Sequence, residues 1–499
     1  MTKHIIYKQK VNLRIPPESD AFSLQNRISH LLKNDLSGAI ETLFDKISPN
    51  GNILRIDKLE LNLGSLTESN LETDFTQKFI EQLSRALEKI KVDNTGTKAG
   101  EIRQEQSLLA SLIYFLDHGH LPWYSTVKDF SVWEDEILQA FSAKEWKSLI
   151  AKFKKDVRIN DYQIERLTLQ FSDFFLQTVL FHIHDGLKKN WEPVYKDIHF
   201  ILKEFIQYVP QQASRKQYLF WQQAITVALL TKNEKDFVFE LLTTILRELR
   251  LIRVKKGKEF VPLWDGLLQK LKRIEQNILT EEVLNPLQKL AESIKTATDV
   301  KPEESAEAGA ESVSESESDT KEKESKRKPG SDEDVLFTEN CGIVILHPFL
   351  QMYFAELELL DKVHFKDETA KQHAVLLLHY LATGETTVAE MNLLLPKMLC
   401  ALNFEEPVPN KIDLSVKEKE EYETLLKSVL GHWEPLHGTS IEGLRQTFLQ
   451  REGKLTPTET GWKLRVEQKT VDILLDKLPW GYSTIKLPWM QDILNVEWC

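Results

Sequence analysis

Residues 298–335 hold almost nothing apolar; most of the stretch reads ESAEAGAESVSESESDTKEKESKRKPGSDED. A segment this polar cannot bury enough surface to offset the entropy of ordering it, so a disordered linker is expected, with folded parts on either side. From Asp299 to Asp334 there are 13 acidic and 6 basic residues, a net −7 out of the chain's −12, which leaves −5 for everything else. A chain so charged lacks the concentrated Lys and Arg that phosphate backbones require, which excludes a nucleic-acid binder.

Upstream, the apolar residues from Gln104 to about Ser293 recur at helical spacing throughout. Leu108, Leu109, Leu112, Ile113 and Leu116 mark one face, and Leu241, Leu242, Ile245, Leu246, Leu249 and Ile252 mark another. Pro122, Pro193, Pro210, Pro262 and Pro286 divide the region, and no fixed-period repeat is present. The expectation for residues 104–297 is an array of eight to ten medium helices.

The N-terminal residues 1–66 read as a small α+β module. Val11, Leu13 and Ile15 alternate with polar residues, as do Leu59, Leu61 and Leu63, while Leu24, Ile28, Leu31, Leu32, Ile40 and Phe44 follow helical spacing. Strand, helix, strand is the expected order. Phe75, Phe79, Leu83 and Leu87 then stack at four-residue intervals along a helix within residues 67–92, and a polar connector covers residues 91–103.

Residues 336–499 read as mostly helical with some β near the end. Helices are expected near residues 371–382, 388–400 and 416–430, the third opened by a Ser415/Glu418 capping box and stopped at Gly431. Ser440 caps another, with Leu444 and Phe448 facing inward; Trp462, Leu464 and Val466 alternate as a strand. The fold class is mainly α.

Three widely spaced cysteines, Cys341, Cys400 and Cys499, exclude a disulfide framework and suit a reducing compartment. The N-terminus lacks the apolar core of a signal peptide, and no uncharged apolar run reaches the roughly 18 residues of a membrane span. These features point to a cytosolic soluble protein with no membrane insertion. Signature motifs for nucleotide binding, serine hydrolysis or zinc proteolysis are missing. His118 and His120, His182 and His184, or Cys400 with His432 and His437 could offer partial metal sites, but ordinary polar and core roles explain each set more simply. No cofactor, metal site or catalytic residue is expected.

The tripeptide Leu-Pro-Trp occurs three times, ending at Trp123, Trp480 and Trp489. Proline fixes φ and holds the preceding residue extended, so each copy presents a rigid, large amphipathic anchor. Trp123, Trp480, Trp489 and Trp498, with Arg445 and Arg451 in IEGLRQTFLQREGKL, are the candidate docking residues. Core packing for the tryptophans, and cations at a helix C-terminus for the arginines, are the plainer alternatives.

HIIYKQKVNLRIP, ILRIDKLELNLGSL, LIYFLDHGHLPWYS, GIVILHPFL, AVLLLHYLATGE, LLPKMLCAL, SVLGHWEPLHGTSIEGLRQTFLQREGKL, GWKLRVEQKTVDILLDKLPWGYSTIKLPWM and VEW occur in that order and make up about a quarter of the chain. In these segments the chain resembles the tape measure proteins of contractile injection systems, the phage-tail-like particles of bacteria. One departure is Glu339-Asn340-Cys341-Gly342, where Asn-Ala-Gly is expected; residues 125–335 carry no matching motif. The resemblance implies a non-enzymatic structural protein that sets inner-tube length from within the lumen. Its partners would be inner-tube, baseplate or spike proteins. An assembly chaperone, or a tube-carried cargo enzyme, are the other classes open to such a chain.

Overall fold

The computed structural model describes the chain apart from residues 1–3, 7–8, 17–18, 48–51, 57, 93–98, 157–161, 207–215, 256–258, 264–265, 300–334 and 499. The expected linker therefore lies almost wholly outside the described residues; its first two positions close the helix Glu281–Asp299. The described fold is mainly α and divides into two compact units. One comprises residues 1–114 and 121–145, the other residues 115–120 and 146–499.

In the first unit, Asp20 caps the helix Ala21–His30 by accepting from the backbone N–H groups of Phe22 and Ser23. A π turn at Leu31–Asp35 leads into Ser37–Ile47, and the long helix Leu71–Val92 follows. Leu24, Ile28, Leu31, Leu36 and Ile40 bury against Leu71, Phe75, Phe79, Leu83 and Leu87, so the four-residue stack was a true core face. The strands differ from expectation. Residues 9–16 form no strand, and Val11, Leu13 and Ile15 are exposed. Leu59, Leu61 and Leu63 keep their period-two burial by leaning on the helical core, without a ladder. The pairing forms instead between β1 (Asn52–Ile56) and β2 (Ala99–Arg103), antiparallel, the second strand falling in the expected connector. Alternation records which side meets the core, whereas a strand also needs a partner edge.

Ten α-helices lie between Gln104 and Asp299 among the described residues, within the expected eight to ten. Two local readings are corrected. Ile252 does not extend the preceding helix, which ends at Glu248; β3 (Ile252–Lys255) turns back on β4 (Glu259–Pro262). Pro286 does not divide helices either: it sits inside Glu281–Asp299, whose Val283, Leu287, Leu290 and Ile294 are fully buried. The buried stripe outweighs one missing backbone hydrogen bond.

Residues 336–498 build a helical layer around a small mixed sheet. β5 (Leu336–Thr338) opens it, and a two-residue hairpin of β6 (Leu360–Asp361) and β7 (His364–Phe365) follows the helix His347–Glu356. β8 (Gly453–Thr458), β9 (Gly461–Val466), β10 (Thr484–Ile485) and β11 (Ile493–Glu497) complete a sheet of order β10-β11-β9-β8-β5. The β11–β9 pair is parallel and the others are antiparallel. The apolar run Cys341–Leu346 is a completely buried 3₁₀ segment. The Ser415/Glu418 capping box forms as expected, but the helix continues through Gly431 to His432. It ends where Trp433 turns extended ahead of Pro435, with the indole buried and its N–H donating to the Leu474 carbonyl at 3.1 Å.

Candidate docking surface and a buried ionic network

The candidate docking side chains of the C-terminal region are largely committed within the unit. The Trp489 indole is buried between Phe354 and Phe365, and its N–H donates to the Leu399 carbonyl at 2.7 Å. Trp498 is 1% exposed, and its N–H donates to Asp472 Oδ2 at 3.1 Å. Half-buried Trp480 donates to the Ile345 carbonyl at 2.9 Å and packs edge-on to Phe349. Trp480 and Trp489 each follow a proline, which blocks a helix there, and all three indoles satisfy a carbonyl or carboxylate with their N–H.

The two arginines are buried as well. Arg451 is inaccessible: its guanidinium donates to Asp472 Oδ1 at 2.6 Å and to the carbonyls of Thr447 and Glu467. It also lies 5.9 Å from the Trp498 ring, so Arg451, Asp472 and Trp498 form one cluster. Arg445 caps the helix Glu368–Thr383 by donating to the carbonyls of Tyr380 and Leu381, between the rings of Tyr380 and Tyr422. Gly384, at φ +78°, lets that guanidinium close on the helix end, where any Cβ would crowd it. A helix C-terminus with a cation on it was the plainer sequence alternative, though the helix served is 64 residues away. Trp123, in the first unit, is half-buried and edge-on to Tyr124, over whose ring Arg55 sits at 4.7 Å.

A second cluster was not anticipated. Arg166, Glu390 and Lys397 are each at most 1% exposed. Glu390 accepts from Arg166 Nε at 3.0 Å and from Lys397 Nζ at 2.5 Å. The cations spend their remaining donors on main-chain oxygens: Arg166 on Leu116 and Glu405, Lys397 on Phe404 and Glu406. Gln170 extends the network, accepting from the Glu390 backbone N–H at 2.8 Å and donating to the Val408 carbonyl at 2.7 Å. Burial holds the Lys397 ammonium below its ordinary range against the opposing pull of Glu390. Burial, with repulsion from Glu368, pushes half-buried Glu406 up to about 7. Gly119, at φ +74°, lies directly on this network, since a Cβ there would stand 2.5 Å from Glu390 Oε1. Gly119 is thus shaped by contact with a residue some 270 positions later. His118, one residue before, reaches Glu405 at 3.4 Å.

The proposed zinc grouping does not assemble. His432 contacts the Ser428 carbonyl, His437 contacts the Gly431 carbonyl, and burial pushes the Cys400 thiol well up. Among the described residues, no three His, Cys, Asp or Glu side chains gather at metal-holding range. Also among them, no helix is long and apolar enough to cross a membrane. A cleft of about 470 Å³ between the helices near Trp191, Phe239 and Lys289 is lined by mixed charge, with Lys289 over the Phe239 ring.

The model of the contractile injection system tape measure proteins matches residues 3–498. The chain belongs to that family. No curated protein and no solved structure matches it. The family match extends through residues 125–335, where no motif was legible in the sequence. Membership in the tape measure family associates the chain with a contractile injection particle. The segments that carried the resemblance supply Gly119, Gly384, Lys397, Arg445 and Arg451, all of which the structure uses in packing or buried polar contacts.

Proposed function

We propose that this chain is a non-enzymatic assembly protein that sets inner-tube length, docking by its two ends on tube, baseplate or spike proteins. The match to the tape measure family over residues 3–498 carries this reading. Trp123 and Trp480, both half-buried, are the proposed anchors at the two ends, while Arg445, Arg451, Trp489 and Trp498 hold the shape behind them. Assembly would take place in the cytoplasm, with the chain ending in the tube lumen.

The ruler itself poses a physical question. Residues 104–293 drawn out as one helix would span about 290 Å at 1.5 Å per residue. The longest helix between Gln104 and Asp299 has 19 residues, or about 29 Å. A length-setting role along the chain axis therefore requires either that the packed helices separate in the tube or that the ruler is not this segment alone. Deleting whole helices between Trp133 and Ile278 should shorten the particles in electron micrographs; unchanged length in variants that remain folded refutes the ruler.

Residues 146–299 and 336–498 share one compact unit, which favours a second reading: a chaperone that handles tube or baseplate subunits and then leaves. Mass spectrometry of purified particles separates the two. Presence of the chain supports the ruler, and its absence supports the chaperone.

A further inference from the structure

We infer that residues 9–16 are a docking strand that adds to an open, acidic sheet edge on another protein of the particle. From Lys10 to Ile15 the odd positions Val11, Leu13 and Ile15 are apolar, whereas the even positions Lys10, Asn12 and Arg14 are polar or cationic. This is the pattern of a strand with one apolar and one cationic face. Yet every residue from 9 to 16 is exposed and none joins a ladder among the described residues. Val11, Leu13 and Ile15 are 41%, 43% and 38% exposed, outside the buried core of their own unit. Upstream of the segment, His4 contacts Asp45 at 2.8 Å and packs edge-on to Phe44.

A chain with strand-forming pattern, no ladder partner among the described residues and open apolar side chains is suited to β-augmentation, in which main-chain hydrogen bonds give affinity and alternate side chains give selectivity. Charge selects the occupant. Residues 3–16 carry Lys3, Lys8, Lys10 and Arg14 and no acid. Two copies pairing with each other would set like charges face to face, which is destabilising. An edge flanked by Asp and Glu has the complementary charge, and among the described residues no strand of this chain pairs with the segment. The proposal deepens the docking part of the reading above and rests on it only for the partner's membership in the particle.

The test uses the full chain and each purified tube, baseplate and spike subunit, with amide hydrogen exchange as the readout. Expected is slowed exchange across residues 9–16 with one subunit, weakening as salt rises. A proline scan through Gln9, Lys10, Val11, Asn12, Leu13 and Arg14 should give a period-two pattern. Substitutions of one parity weaken binding roughly tenfold or more, because only alternate N–H groups face the partner edge. Lys10→Glu/Arg14→Glu should also abolish it while leaving exchange in the helix Leu71–Val92 unchanged. Exchange in residues 9–16 that no subunit slows overturns the proposal. So does binding with no parity pattern, protection already present in the isolated chain, or self-association that Val11→Lys removes. Tube length decides the ruler separately: protection with unresponsive tube length leaves the strand standing and the ruler fallen, and the converse result reverses this.

Discussion

The Arg166–Glu390–Lys397 cluster makes a prediction that separates two views of buried charge. If the cluster is only an ion pair, replacing all three members with apolar residues of similar size should be near neutral, since desolvation offsets most of the Coulombic gain. The geometry argues otherwise. Two cations serve one carboxylate and also the carbonyls of Leu116, Phe404, Glu405 and Glu406. In Arg166→Met/Glu390→Leu/Lys397→Met those four oxygens lose their donors. At about 1–3 kcal/mol for each unsatisfied group, the loss is on the order of 4 kcal/mol at the low end. Glu390→Ala alone leaves two buried cations facing each other and should cost about 3–5 kcal/mol. For a domain of typical stability, about 5–15 kcal/mol, either change is severe. A chain of two units need not unfold in two states, so native-state hydrogen exchange of the helices Tyr162–Gln170 and Leu394–Leu399 is the proper assay. Both variants should lower the opening free energy of these helices together. A triple variant within about 1 kcal/mol of the parent would refute the carbonyl argument.

Other outcomes follow from single contacts. Gly342→Ala should destabilise the C-terminal region by about 2 kcal/mol or more in urea unfolding, because its Cβ would overlap the backbone carbonyl of Phe448. Gly119→Ala should act similarly, adding left-handed strain to crowding at Glu390. Trp489→Ala should cost about 3–5 kcal/mol, and Trp480→Phe about 1 kcal/mol, the first emptying a buried site and the second removing one hydrogen bond. Wild-type assembly by a folded Trp480→Ala protein would remove Trp480 from the docking reading. Glu406 has its folded pKa raised from 4.5 to about 7, so its contribution is full below pH 4.5 and is lost as pH rises through about 7. The melting temperature of Glu406→Gln relative to the parent should therefore increase between pH 5 and pH 8; a constant difference contradicts the assignment.

Much of this fold was legible because its causes are local. The Asp20 and Ser415 caps, the stack from Phe75 to Leu87 and the alternation from Trp462 to Val466 each depend on neighbours within a few residues. Strand pairing was misplaced because period two reports burial on one side and not the presence of an edge; Leu59 to Leu63 and β1 illustrate the two cases.

The candidate docking residues were chosen for type and context, and both properties suit a core position equally well. Tertiary structure alone decided that Trp489 and Trp498 face inward, that Arg445 caps a helix 64 residues earlier, and that Arg166 meets Glu390 across 224. Amphipathic periods and caps are short-range and determined the mainly α class. Where buried cations find their carbonyls depends on how distant segments pack, which no local pattern encodes.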